Sequence, residues 1–341
     1  MAAVDVLARL TPGMREVLEI QADLAARLAR PGSDLEVLRA NYAAEHRWWN
    51  EGGPRMARST SAVVATPHGP VPVRVHHPEP FPGDPGPAGT VVYLHGGGFV
   101  LGDLDSYDRI LRELAAAGGA VVVGVAYSLS PEAKVPQAVE EAAAVVRHLA
   151  AHPGDLGVPP GPVALAGDSA GASIALATAL HLRAADGPRP SALLLWYGLY
   201  GLRDSASRRL LGGPWDGLAP EDLAFYTAAY TAGPDDLTGP AVDCLGADPD
   251  LLASLPPTYV AATDLDPLLD DSVALAGLLE HHGVPHRLHV LTGVLHGFLH
   301  CSRTLPEARE ALAAGAAFLR AHRLPAHHPL ENREAHRWIS D

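Results

Sequence analysis

From Thr90 onward the chain alternates short apolar runs with longer helix-like stretches. The apolar runs are Thr90–Leu94, Val121–Tyr127, Val163–Ala166, Ala192–Trp196, Thr258–Ala262 and Arg287–Leu291. The helix-like stretches are 107–117, 135–151, 170–185, 268–282 and 306–322. Strands that are apolar on both faces, alternating with helices, predict right-handed βαβ crossovers around a buried, mostly parallel sheet. The fold class is therefore α/β, with helices on both faces of the sheet.

Three stretches depart from that rhythm. Residues 1–60 read as a helical flank or lid. Thr11-Pro12 supplies an N-cap and a proline at N1, and Leu18, Leu24 and Leu28 follow until Pro31 stops the helix. Ser33 and Glu36 form the pattern of a capping box for a second helix carrying Leu35, Leu38 and Tyr42. Ala62–Thr66 and Val71–Val75, separated by Pro-His-Gly-Pro, predict a hairpin-like pair, and a Pro/Gly-rich loop spans 78–89. Residues 199–256 carry Trp215, Phe225, Tyr226 and Tyr230 between Gly-Pro breaks, too long a gap for a plain loop and expected to be a functional insertion. The body is thus expected to be one domain over 61–324, with an aperiodic tail at 325–341.

Composition narrows the function classes. Hydrophobic residues make up 48% of the 341, enough for a large core. Lys+Arg number 25 against 39 Asp+Glu, a net charge of −14, which disfavours nucleic acid and anionic lipid as partners. Asp5, Arg9, Arg15 and Glu16 interrupt the N-terminus before any apolar run forms, and no apolar stretch is long enough to span a membrane. Cys244 and Cys301 make neither a metal-ligand nor a disulfide pattern, which suits a reducing, cytoplasmic compartment.

The strongest chemical signal is Gly167-Asp168-Ser169-Ala170-Gly171, between a strand-like and a helix-like run. A serine on so sharp a turn needs small neighbours, and the helix N-terminus behind it favours developing negative charge. The second signal is His95-Gly96-Gly97-Gly98-Phe99, directly after Thr90–Leu94. Three glycines at a strand end let backbone N–H groups converge where an oxyanion forms, and the spacing fits neither phosphate-loop nor dinucleotide fingerprints. A serine nucleophile needs a base and a group to orient it, in the chain order Ser, Asp/Glu, His. Asp266 precedes Pro267 after the strand-like Thr258–Ala262, with Asp264, Asp270 and Asp271 as competitors. His296 follows the last strand-like run within Gly293-Val-Leu-His-Gly-Phe298. His281, His282, His286 and His289 have loosely metal-like spacings but no His-Glu-x-x-His, and are read as solvated side chains.

Taken together, these residues resemble the hormone-sensitive-lipase-like esterases of the α/β-hydrolase fold. The resemblance extends to Asp266-Pro267-Leu268, to His296-Gly297-Phe298, and to Tyr127-Ser-Leu-Ser-Pro131-Glu132, where Ser128 and Ser130 depart from the family's pattern. Within the family, the runs 195–204 and 208–217 are most similar to the bacterial acetyl esterases. The resemblance implies Ser169 as nucleophile, His296 as base and Asp266 as orienter. It implies an oxyanion hole from the N–H groups of Gly97, Gly98 and Ala170, with His95 and Gly96 supporting the loop. The N-terminal helices and the 199–256 insertion would cover the site.

The expected activity is hydrolysis of small esters with short acyl chains, acetyl to butyryl, through an acyl-enzyme and without metal or organic cofactor. Phe99, Trp196, Tyr197 and Trp215 are candidate pocket walls. An amidase or thioesterase on the same triad stays open, since leaving-group preference resides in pocket shape. A silent ligand-binding role also stays open, as in the plant gibberellin receptors, which resemble this family without its histidine; here His296 is present. Whether the chain is a monomer or a homodimer is not legible.

Overall fold

The computed structural model describes residues 4–80 and 89–322. Most of the Pro/Gly-rich loop at 78–89 and the tail from 325 lie outside the described residues. Eight strands form one sheet: β1 (Met56–Thr66), β2 (Gly69–Pro78), β3 (Thr90–Leu94), β4 (Val121–Val125), β5 (Val163–Asp168), β6 (Leu193–Trp196), β7 (Thr258–Thr263) and β8 (His286–Leu291). Their spatial order is β1-β2-β4-β3-β5-β6-β7-β8. The pairs β1/β2 and β2/β4 are antiparallel and all others are parallel. The helices are α1 (Pro12–Leu28), α2 (Leu35–Trp49), α3 (Asp108–Gly118), α4 (Gln137–Ala151), α5 (Ala170–Ala184), α6 (Ala206–Leu211), α7 (Pro220–Tyr230), α8 (Pro249–Ala253), α9 (Leu269–His281) and α10 (Pro306–Ala321).

The two sides of the sheet account for the unbroken apolar runs. Val92 and Leu94 of β3 face a core shared with α4 and α5, including Val139, Val146, Ile174 and Leu176. Val91 and Tyr93 face the opposite way, into a core with Ile110, Leu111, Leu312 and Trp196. Each residue of a central strand such as β3 therefore meets a helix layer whichever way it points, and no polar alternation survives there. Met14, Val17, Leu24 and Trp49 of α1 and α2 join this second core, so the N-terminal helices are packed onto the body.

Two local expectations need correction. The second helix is capped by Asp34, whose carboxylate accepts the Val37 N–H at 3.0 Å, and not by Ser33. An aspartate at that position also meets the positive end of the helix. The hairpin is longer than its apolar residues suggested. β1 starts at Met56 on a largely exposed outer strand, where Ala57–Ser61 carry no buried periodicity.

Arg39 ties α2 to the body. Its guanidinium donates to the carbonyl oxygens of Val100 and Ser130, both at 2.9 Å, and makes a two-pronged pair with Glu132 at 2.8 and 2.9 Å. Ser128 and Ser130, the departures noted above, anchor the same loop. The Ser128 N–H and Oγ–H each donate to Glu141 at 2.7 Å, and the Ser130 hydroxyl donates to the Ala133 carbonyl at 2.7 Å. Arg39→Ala should lower stability by about 1–3 kcal/mol, the value of charge-assisted hydrogen bonds, and expose the α1–α2 segment to protease. Thermal unfolding and limited proteolysis check this; an unchanged melting temperature and digest would contradict it.

Candidate active site

Ser169 sits between the last residue of β5 and the first of α5 with φ 51° and ψ −124°. A non-glycine residue held there stores about 1–3 kcal/mol of strain. The turn is locked by the Ser169 N–H donating to the Trp196 carbonyl at 2.9 Å. Its two glycines are required by close approach. A Cβ on Gly171 would lie 2.1 Å from the Leu94 carbonyl oxygen and 2.5 Å from that of His95. A Cβ on Gly167 would lie 2.4 Å from the Gly171 backbone. No flexible side chain can yield at either contact.

The loop after β8 brings His296 to this serine. Its Nε2 lies 2.8 Å from Ser169 Oγ, and its Nδ1 lies 2.8 Å from Asp266 Oδ2. With Nδ1–H donating to the carboxylate, Nε2 is left to accept the serine proton. Asp266 is fully buried, and its Oδ1 accepts the Leu268 N–H at 2.7 Å. The neighbouring acids are engaged elsewhere. Asp264 pairs with Arg9 and accepts the Gly293 N–H, Asp270 accepts the Ser207 N–H, and Asp271 holds Arg208 and three backbone N–H groups of residues 200–202. Burial lowers the His296 pKa, but the Asp266 carboxylate, by charge and hydrogen bond and with help from Asp216 and Asp168, outweighs it and leaves the ring raised.

Asp168, beside the serine, organises the glycine loop. Its Oδ1 accepts the Tyr93 hydroxyl at 2.8 Å and the Gly96 N–H at 3.0 Å. Its Oδ2 accepts the hydroxyls of Tyr107 and Tyr197, each at 3.4 Å. Burial pushes this carboxyl up to about 6, against the opposing hydrogen bonds. His95 is sealed under the loop, stacked on Tyr127 at 4.4 Å, with its Nδ1 2.8 Å from the Gly96 carbonyl oxygen; burial drives its pKa down to about 4, so the ring is neutral. Gly97, Gly98 and Ala170 line the cavity in front of Ser169, and among the described residues no acceptor takes their N–H groups.

That cavity measures about 520 Å³. Its walls include Met14, Tyr42 and Glu45 from the N-terminal helices, and Asp216, Leu218 and Tyr226 from the 199–256 insertion. Phe99 and Trp215 are also in this lining. Trp196 and Tyr197 are not, which corrects their assignment as pocket walls. Trp196 points under the sheet and donates from Nε1 to the Ala311 carbonyl of α10 at 3.3 Å. Tyr197, at φ 40°, is turned behind the site, with its ring 4.8 Å from His296 and its hydroxyl on Asp168. Glu45, Tyr42, Asp216 and Tyr226 were not singled out as cavity residues by the sequence; the Trp-Asp-Gly turn at 215–217 was the nearest signal.

Of the loose histidine cluster, His289 is held by Tyr259 Oη at 2.8 Å and His286 Nδ1 lies 2.9 Å from the Val284 carbonyl oxygen. Among the described residues no helix is long and apolar enough to cross a membrane.

A family profile described as alpha/beta hydrolase fold matches residues 91–300. An acetyl esterase of Salmonella agona is 43% identical over 323 residues, covering 93% of this chain and 96% of its own. An esterase of Pyrobaculum calidifontis superposes with a TM-score of 0.82 at 32% identity, covering 92% of this chain and 98% of its own. The thermophilic carboxylesterase EstE1, cloned from a metagenomic library, gives 0.80 at 29% identity, with 86% and 99% covered.

The raised pKa of His296 is open to direct titration. Followed by NMR, the ring should protonate above the ordinary histidine value of about 6.5, and Asp266→Asn should move that midpoint down. A wild-type midpoint at or below the ordinary value would contradict the Asp266 contact.

Proposed function

The chain belongs to the alpha/beta hydrolase fold family, and from that premise we propose that it hydrolyses esters of short acyl chains, acetyl to butyryl, with Ser169, His296 and Asp266 as its catalytic triad. It is a carboxylic-ester hydrolase. The observation that carries the catalytic reading is the unbroken chain of 2.8 Å contacts from Asp266 through His296 to Ser169 Oγ.

In this reading Ser169 Oγ attacks the ester carbonyl carbon while His296 Nε2 takes its proton. The carbonyl oxygen becomes an oxyanion and accepts hydrogen bonds from the N–H groups of Gly97, Gly98 and Ala170, fixed donors that need no reorganisation at that moment. The tetrahedral intermediate collapses as the C–O bond to the alcohol breaks, and the imidazolium returns the proton to the departing oxygen. Water then attacks the acyl-serine, His296 again taking a proton, and the acid leaves with the Ser169 hydroxyl restored. Asp266 keeps Nδ1 protonated and stabilises the imidazolium. Since only neutral His296 can accept the serine proton, activity falls as pH drops through the ring's raised pKa.

Two features support a short acyl chain. The curated relative at 43% identity is named an acetyl esterase. The walls nearest the glycine loop are bulky, with Phe99 stacked on Tyr230 at 3.8 Å and Tyr226 pressed on Gly98. A methylene that has room gains about 0.8 kcal/mol of binding, whereas one forced against a closed wall costs roughly 1–3 kcal/mol. The ratio kcat/KM for p-nitrophenyl acetate, butyrate, hexanoate and octanoate should peak between acetate and butyrate and fall sharply by octanoate. A maximum at octanoate would contradict the short pocket while leaving the triad standing.

A further inference from the structure

A cavity of about 520 Å³ is the size of a pocket for a drug-sized ligand, so a short acyl group leaves most of it to the alcohol portion of the ester. The fixed charges in its wall are of one sign. Glu45 of α2 and Asp216 of the turn between α6 and α7 both line it, and among the described residues no lysine or arginine does. Two further histidines in the wall, His46 and His300, are kept neutral because burial lowers their pKa values. The third carboxylate, Asp168, is already occupied by tyrosine hydroxyls and the Gly96 N–H.

Among the described residues neither Asp216 nor Glu45 is hydrogen-bonded to a lysine or arginine, and the ionisable ring nearest Asp216 is that of the base His296. Asp216 Oδ1 accepts the Leu218 N–H at 3.1 Å, while its Oδ2 is buried with no hydrogen-bond partner among the described residues. Burial pushes this carboxyl up to about 6; the charge of His296 pulls it down and that of Asp266 pushes it further up. Above neutral pH it is therefore ionised. Glu45 Oε1 accepts from Gln21 Nε2 at 3.3 Å and Trp49 Nε1 at 3.2 Å, both neutral donors. Tyr42, Trp215 and Tyr226 add aromatic faces to the same wall. Carboxylates with no lysine or arginine beside them raise the local concentration of cations and repel anions, and aromatic faces attract cations further.

We propose that this cavity selects esters whose alcohol portion carries a positive charge, an ammonium or quaternary ammonium group, over neutral isosteres, and rejects anionic ones. The proposal rests on the ester-hydrolase reading and adds to it the class of alcohol. Asp216 and Glu45 are the residues that set the preference.

Three acetate esters test it on the full chain at about pH 8, above the Asp216 pKa of about 6. They are acetylcholine, its neutral carbon isostere 3,3-dimethylbutyl acetate, and 2-acetoxyethanesulfonate. The cation should exceed the isostere in kcat/KM by about tenfold, the scale of one desolvated charge contact with aromatic help, and the sulfonate should fall below both. Asp216→Asn and Glu45→Gln should each cut the cation-to-isostere ratio by roughly threefold. Asp186→Asn removes the same charge from an exposed position after α5 and should leave the ratio unchanged. Ratios within one variant cancel any general loss of activity. A wild-type ratio of one or less, ratios untouched by both cavity substitutions, or an equal fall in Asp186→Asn would each overturn the proposal. If p-nitrophenyl acetate is not hydrolysed either, the ester-hydrolase reading itself fails, and the selection falls with it.

Discussion

The closest backbone approach in the site is between the end of β3 and the start of α5, where Gly171 leaves no room for a Cβ against the carbonyl oxygens of Leu94 and His95. That contact sets the depth at which α5 docks on the sheet. It forces the chain through the strained turn at Ser169, which lifts the hydroxyl clear of the sheet edge while the peptide N–H groups behind it face the same space. Because the Leu94 end of β3 runs straight into His95–Gly98, the same contact places the glycine loop beside the serine. Asp168 then couples the two segments, its carboxylate holding the Gly96 N–H from the residue next to Ser169. Local strain is tolerated here because the surrounding backbone over-determines the turn.

What was legible in the sequence was what depends on neighbours in the chain. The α/β alternation shows because the central strands are buried on both faces, and the elbow shows because its steric demand falls on residues two positions either side of Ser169. Asp266 was one of several acids until the fold engaged Asp264 with Arg9 and Asp271 with Arg208 and left Asp266 against His296. Trp196 and Tyr197 were misplaced because facing direction at a strand end depends on the turn that follows, and Tyr197 takes a positive φ there. The cavity wall was least legible. Tyr42 and Glu45 of α2 lie far from Asp216 in sequence and share a wall with it only when α2 and the insertion close over the sheet.

The division of labour follows from this assembly. The sheet and its two loops carry Ser169, Asp266, His296 and the glycine loop, the groups proposed above to move protons and hold developing charge, with Ser169 held through its N–H on Trp196 and His296 on the Asp266 carboxylate. The covering elements carry shape and charge. They are attached by polar ties such as Arg39 to the Val100 and Ser130 carbonyls and Asp271 to the backbone of residues 200–202. Changes in the cover can therefore alter which ester fits without disturbing how the bond is broken.

The most direct test of Ser169 as the nucleophile is the turnover of Ser169→Ala on p-nitrophenyl acetate, measured beside wild type on protein whose fold is confirmed by circular dichroism. The expected result is a loss on the order of 10⁴ to 10⁶ in kcat. A serine-directed organophosphate should add its mass to the Ser169 peptide of the wild type only. Turnover close to wild type in the alanine variant, with contaminating esterase excluded, would contradict the mechanism.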